Sequence, residues 1–239
     1  MKIIAIIPAR SGSKGIPDKN IKLYKGKPLL AHSILQALQS KHITEVYVST
    51  DSPQYKEIAL QYGALVPFLR PPEFSDDLSP DIDVFKHFLQ YYQENNDSTY
   101  PDIIVQLRPT YPNRTIELLD NCIETFINNY DTYDSLRTVI PLNKSPYKMY
   151  YIDTQNMLIP YLLTYKDIIE PYNQARQLLP QSYLHNGCID IIKTHTIINK
   201  NLLSGNNIYP FVMDENENND IDTEEDLIIS EKKIYNNIL

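Results

Sequence analysis

A chain of 239 residues with 42% hydrophobic content is long enough for one large domain, or one domain carrying an insertion, around a substantial core. Its formal net charge of −8 argues against a general nucleic-acid binder, which carries a basic face, yet permits an anionic small ligand, because a few clustered cations or a metal ion dominate one pocket. Only Cys122 and Cys188 are present, without paired ligand spacing, which argues against a disulfide scaffold or a zinc site and fits a reducing cytosol.

In chain order, residues 3–7 (IIAII) form a continuous apolar run ending at Pro8, the pattern of a strand buried on both faces of a parallel sheet. The run is too short for a secretory signal and is followed at once by Arg10. The spacing of Leu29, Ile34, Leu35 and Leu38 predicts a helix over 28–38, residues 45–50 (EVYVST) a second strand, and 54–62 a second helix. A helix over 83–92, with Val84, Phe88 and Leu89 on one face, precedes a buried strand at 102–107 (DIIVQL). Helix 116–128 and strand 135–142 follow. This alternation implies an α/β fold around a mostly parallel sheet. Ligands gather at the carboxyl ends of such strands, here after Ile7, Thr50 and Leu107.

Over 146–180 the pattern changes. Strand-like pieces at 148–152 and 157–162 flank the polar turn 153–156, and a loop rich in Tyr and Pro follows. A β-hairpin excursion serving as a lid, a dimerisation arm or both is expected there. The α/β pattern resumes at 187–193 and 208–213 and closes with a helix over 223–237. The expected organisation is a single domain, 1–239, with 146–180 inserted. No stretch approaches the roughly 18 apolar residues of a membrane span, so a cytoplasmic protein without membrane or nucleic-acid partners is expected.

The segment 8–20 (PARSGSKGIPDKN) holds two of the chain's six glycines, three cations (Arg10, Lys14, Lys19) and two hydroxyls. Glycine lets the backbone approach a ligand closely, and consecutive N–H groups in such a loop form an anion nest that the cations reinforce. This chemistry suits a triphosphate. The segment is neither a Walker A loop nor a dinucleotide fingerprint, because GxxxxGK[ST] and GxGxxG are both absent.

Asp220 and Asp222 stand two apart. In an extended segment such residues face one side, so their carboxylates converge; two hard oxygen ligands plus substrate phosphates are how Mg²⁺ is held. The same stretch also reads as a helix start, with Thr223 and Asp226 as a capping box and Glu224 and Glu225 in the first turn. Both readings can hold together.

The order of residues in 8–20 resembles the signature IPARxGSKGIPxKN of the acylneuraminate cytidylyltransferases, the CMP-sialic acid synthetases. Further similarities span nearly the whole chain: Ser49–Thr50–Asp51, Leu69–Arg70–Pro71, residues 107–115 (LRPTYPNRT), Pro146–Tyr147–Lys148, residues 176–181 (RQLLPQ), Asn186–Gly187 and residues 220–223 (DIDT). The resemblance implies a Rossmann-like three-layer nucleotidyltransferase fold. It also implies a homodimer and a reaction in which CTP and a sugar acid give a CMP-sugar and pyrophosphate with Mg²⁺. By the same resemblance Arg10, Ser13, Lys14, Lys19, Asn20 and Arg70 hold the nucleotide, with Arg10, Lys19 and Asp222 central to catalysis. Arg108, Lys148, Arg176, Gln177 and Asn186 face the sugar, and Asp220 and Asp222 bind the metal.

Three positions depart from the pattern. Arg108 stands where Gln is common, Leu184 where an Arg is frequent, and Asp190 where an aromatic is common. All three belong to the acceptor side, so legionaminic or pseudaminic acid rivals sialic acid as the acceptor. The planar fork of Arg108 suits a carboxylate, or else a phosphate. A catalytically silent nucleotide-binding protein would be expected to have lost Lys14, Lys19, Asp220 or Asp222, and all four are present. His185 and Cys188 are read as structural.

Overall fold

In the computed structural model, which describes residues 1–214, 217 and 219–235, the first apolar run becomes strand β1 (Ile3–Pro8). A tight hairpin follows, β2 (Leu23–Tyr24) against β3 (Lys27–Pro28). Its two central residues, Lys25 and Gly26, both have positive φ (47° and 74°), as a turn matching the strand twist requires. The later elements are α1 (Leu29–Gln39), β4 (Glu45–Ser49), α2 (Pro53–Gln61), α3 (Asp81–Asn95), β5 (Ile103–Gln106), α4 (Ile116–Asn128) and β6 (Ser135–Leu142). After them come the short strands β7 (Tyr150–Ile152), β8 (Leu158–Pro160), β9 (Thr164–Tyr165) and β10 (Ile168–Ile169), then β11 (Ser182–Lys193), α5 (Thr194–Lys200), β12 (Ile208–Val212) and α6 (Glu224–Tyr235).

Six strands form one sheet in the order β12-β6-β11-β5-β1-β4. β1 runs parallel to both β4 and β5, and β11 pairs antiparallel with β5. The expected α/β architecture with a mostly parallel centre is therefore present. Helix α3 covers one face: Val84, Phe85, Phe88, Leu89 and Tyr92 pack on Ile4, Ile6, Ile104 and Ile192. Burial of each such side chain contributes on the order of 1.5–3 kcal/mol. Successive side chains of a strand point to opposite faces, and α1 packs against β1, β4 and α4. Side-chain caps fix two helix starts, Ser52 accepting from the Tyr55 amide and Thr115 from that of Leu118.

The chain divides into two compact units. The first contains residues 1–138, 187–211 and the segment from Asn219; the second contains 139–186 and a short return segment starting at Val212. The 146–180 excursion lies within the second unit. There β7 and β8 form the expected antiparallel hairpin, and Asp153 Oδ1 accepts the amides of Gln155 and Met157, both at 2.9 Å, to shape its turn. Ring pairs Tyr147–Tyr165, Tyr150–Tyr172 and Tyr151–Tyr161, with centroids 5.0, 5.7 and 5.3 Å apart, give this small unit contacts that aliphatic burial alone does not supply. Part of the chain's high Tyr content is thereby explained.

Four elements differ from expectation. Helix α5 forms from THTIINK, whose β-branched residues disfavour a helix; Ile197, fully buried in the α3 cluster, supplies the packing that overrides propensity. The two-residue strands β9 and β10 are too short to show a period. Strand β11 begins at Ser182, five residues before the apolar run. The C-terminal end expected for the last helix, at 236–237, lies outside the described residues.

Candidate active site

The cleft lies at the carboxyl ends of β1 and β5 and is built within the first unit. The loop after β1 is tied at three points. Ser11 donates through its amide and hydroxyl to the two oxygens of Asp51, at 2.8 and 2.6 Å, which fastens the loop beyond β4. Asn20, buried, donates to the carbonyl of Arg10 at 2.9 Å and closes the loop on itself. Ile16 is fully buried with Tyr24, Leu29 and Ile221. Gly12 supplies a positive φ of 72°. Gly15 serves a different need, because a Cβ there would lie 2.6 Å from the backbone oxygen of Asp222.

That contact brings in the acidic segment. Ile221 is fully buried and donates its amide to the carbonyl of Thr110 at 2.9 Å, so Asp220 and Asp222 flank a fixed point. Both carboxylates border the cleft. Lys19 Nζ donates to Asp222 Oδ1 at 2.9 Å. Asp220 is exposed where it lines the concave cleft, which still takes part of its surroundings out of water. This partial desolvation, with the charge of Asp222 beside it, raises its carboxyl pKa above the ordinary value, against a lowering hydrogen bond from Thr110. The capping box is also present: the Asp226 amide donates to Thr223 Oγ1 at 3.1 Å, and the Thr223 amide returns to Asp226 Oδ2 at 2.8 Å. One stretch thus starts α6 and aims two carboxylates.

All the cleft cations but Arg70 meet carboxylates. Arg10 Nη1 and Lys14 Nζ meet the two oxygens of Asp77 at 2.8 and 2.7 Å. Lys14, then Arg10, keep that carboxyl below the usual range. Arg70 is only 4% exposed, and its Nε and Nη2 have no hydrogen-bond partner among the described residues. Desolvation lowers its pKa, but a guanidinium stays charged in proteins. A buried cation with unpartnered donors at a cleft wall is suited to an anionic group. The whole cleft has a volume of about 380 Å³.

The sequence profile of the cytidylyltransferases matches residues 4–158. The chain belongs to the cytidylyltransferase family. It is accordingly a nucleotidyltransferase. Over 234 residues it is 36% identical to the CMP-N,N'-diacetyllegionaminic acid synthase of Legionella pneumophila, covering 97% of this chain and 96% of that one. It is 32% identical to the N-acylneuraminate cytidylyltransferase of Streptococcus agalactiae serotype V, covering 95% of this chain but only 52% of that longer relative. Among solved structures, a CMP:2-keto-3-deoxy-manno-octonic acid synthetase complexed with CTP superposes with a TM-score of 0.71 over 99% of this chain and 100% of that one. At 16% identity, that likeness shows the fold.

In this cytidylyltransferase the cleft gathers Arg10, Ser13, Lys14, Lys19, Asn20, Arg70, Arg108, Asp220 and Asp222. The other four residues expected on the sugar side lie in the second unit. Arg176 and Gln177 line a hollow of about 400 Å³ there with Leu142, Ser145 and Gln181, and Arg176 donates to Asn143 Oδ1 at 3.4 Å. Lys148 is exposed at the end of a 3-10 turn. Asn186 is buried, and its amide donates to the sulfur of Met213 at 3.3 Å. Sequence reasoning missed Asp77, Asp81, Gln106 and Thr110. Asp77 lies in the acidic turn SDDLSP, where only the surplus of nearby cations in the first loop hints at a partner. No helix among the described residues is long and apolar enough to cross a membrane.

Proposed function

We propose that this cytidylyltransferase joins CTP to a nonulosonic acid, giving a CMP-sugar and pyrophosphate. The observation that carries the reading is the direct contact between the cationic loop and the acidic segment, through Lys19–Asp222 and the close approach of Gly15. Arg10, Lys14, Lys19 and Arg70 bind the phosphates of CTP, and the anomeric hydroxyl of the acid attacks the α-phosphorus in line with the departing pyrophosphate. Such transfer depends on positioning and charge stabilisation more than on covalent chemistry. Lys19 passes from Asp222 to the nucleotide as CTP binds.

Asp220 and Asp222 fit a hard divalent cation. Both carboxylates line the cleft, and burial and the charge of Asp222 disfavour the ionised form of Asp220, which a cation would offset. The remaining ligands would be phosphate oxygens and water, as Mg²⁺ prefers. When bound, Mg²⁺ would neutralise developing phosphate charge and lower the pKa of a coordinated hydroxyl.

N,N'-diacetyllegionaminic acid is the first acceptor to test, because the Legionella relative matches along nearly the full length of both chains. Sialic and pseudaminic acids complete the panel. The experiment is pyrophosphate release with CTP, Mg²⁺ and each acid, with ATP, GTP and UTP as controls. No release with any acid overturns the proposal. The second unit is assigned to pairing two copies of the chain in the cytoplasm. Ile152, Leu158, Leu163 and Ile169, each more than 60% exposed, supply apolar surface for it. Sedimentation showing only monomer at micromolar concentration would refute that assignment.

A further inference from the structure

Two of the three departures from the sialic acid pattern meet in space. Strand β11 pairs with β5 so that Asp190 stands opposite Gln106. Its carboxylate is 2% exposed, between the fully buried Ile189 and Ile191. A carboxylate so deep requires charge partners. Two guanidiniums supply them: Arg137 Nε lies 3.4 Å from Oδ1, and Arg108 Nη2 lies 3.9 Å from Oδ2. Arg108 Nη2 also stands 3.6 Å from Asp81 Oδ2. At 3.6 and 3.9 Å, both Arg108 separations exceed a hydrogen bond, so they orient the charge without consuming an N–H donor.

The backbone is shaped for the same side chain. The Arg108 carbonyl accepts from the Ser33 hydroxyl at 3.1 Å, the Tyr111 amide at 3.2 Å and Arg114 at 3.3 Å. Gly187, with φ +69°, leaves the space beside it: a Cβ there would lie 3.1 Å from Arg108 Nη1 and 3.3 Å from Cδ. A half-exposed guanidinium is thus fixed in the cleft by a buried acid, a glycine and a pinned carbonyl.

We propose that Asp190 is a positioning residue that holds the Arg108 fork as the recognition group for the carboxylate of the acceptor. The inference rests on the acidic-acceptor reading given above. The neighbourhood decides between carboxylate and phosphate. Arg108 stands between the carboxylates of Asp190 and Asp81, which oppose a polyanion but leave a planar fork suited to one carboxylate in bidentate contact. The triphosphate has its own cations in Arg10, Lys14, Lys19 and Arg70.

The test compares the acid that the wild-type enzyme turns over with its methyl ester, in the wild type, Arg108→Gln, Asp190→Asn and the double variant, with CTP binding followed by calorimetry. The wild type is expected to favour the acid over the ester by roughly 10- to 100-fold in kcat/KM, the range of a hydrogen-bonded charge. Arg108→Gln is expected to abolish that preference by raising the acceptor KM, with CTP affinity unchanged within about twofold. Asp190→Asn is expected to weaken the preference in the same direction. The double variant, in which Asp190 has no Arg108 left to position, is expected to lose no more than Arg108→Gln alone. Additive losses, or an acid preference that survives Arg108→Gln, overturn the proposal, as does a fall in CTP affinity with acceptor KM unchanged. If Asp190→Asn does not fold, the comparison of Arg108→Gln with the double variant decides. A wild type inactive with every acid would instead overturn the acceptor reading itself.

Discussion

Gly15→Ala isolates the contact on which the proposed site depends. Gly15 is outside the left-handed region, so alanine meets no left-handed penalty there; the obstacle is the Asp222 carbonyl oxygen, 2.6 Å from the added Cβ. Carbon and oxygen without a bond settle at about 3.3 Å or more, so loop and acidic segment must part by roughly 0.7 Å. Neither side yields freely. Ile221 is bound to Thr110, the Asp222 and Thr223 amides are bound to Asp226, and Ile16 is buried beside Gly15. Overpacking of this kind costs about 1–3 kcal/mol, a Tm decrease of roughly 2–12 °C for a domain of this size. The rate is expected to fall further than stability, because the parting separates Lys19 from Asp222 and a 1 Å misplacement costs on the order of 10²-fold. Pyrophosphate release gives kcat/KM, and thermal unfolding gives Tm. Gly12→Ala is the control: its Cβ would have nothing within 4 Å, so it should show only the left-handed penalty of about 1–2 kcal/mol. Wild-type kcat/KM and Tm in Gly15→Ala would refute the reasoning.

Asp77→Asn removes the carboxylate that pairs with Arg10 and Lys14; calorimetry is expected to show CTP binding several-fold more tightly, with little change in Tm because the pairs are exposed. Asp134 accepts from Lys200 at 2.6 Å and from the amides of Asn206 and Asn207, and its pKa is lowered from 3.8 to about 2, with Lys200 the largest cause. A depressed carboxylate stabilises the fold above its unfolded pKa and loses that contribution as pH falls through the folded value. Asp134→Asn is therefore expected to cost roughly 1–2 kcal/mol at pH 7 by denaturant titration, after screening at the half-open Lys200, with the gap to wild type closing between about pH 4 and pH 2. Arg114 is buried and donates to the Cys188 carbonyl through Nε at 2.9 Å and Nη2 at 2.6 Å, and to Gln36 at 2.7 Å. Arg114→Met strands these acceptors, and chemical denaturation is expected to show a loss of about 3 kcal/mol.

What could be read from the sequence was whatever a short window contains. The buried strands at 3–7 and 102–107 announce themselves because residues covered on both faces need no alternation. Helix 116–128 is seen whole because its apolar stripe and Thr115 cap agree. The loop at 8–20 was legible for a similar reason: its glycines, hydroxyls and cations are contiguous. Helix α5 was not, because its stability comes from Ile197 entering a cluster made by α3 and the sheet. No local signal carries such a contact.

The same distinction runs through the site. The chain order shows the charge of Lys14, Lys19 and Arg108 but not the carboxylate that meets each. Asp77 is 63 residues from Lys14, Asp222 is 203 from Lys19, and Asp190 is 82 from Arg108. Only the sheet order, which sets β11 beside β5 and β5 beside β1, brings the last pair together. Arg108 and Asp190 therefore look like two separate departures when compared with a family pattern position by position. In the fold they form one ion pair, with each charge meeting the other's requirement. Arg108 without Asp190 would be a more loosely held cation in the cleft, and Asp190 without Arg108 would keep only Arg137 as the cation beside its buried carboxylate. Acceptor preference in this family should accordingly follow the joint state of these two positions, and transplanting either residue alone into a sialic acid enzyme is expected to impair it.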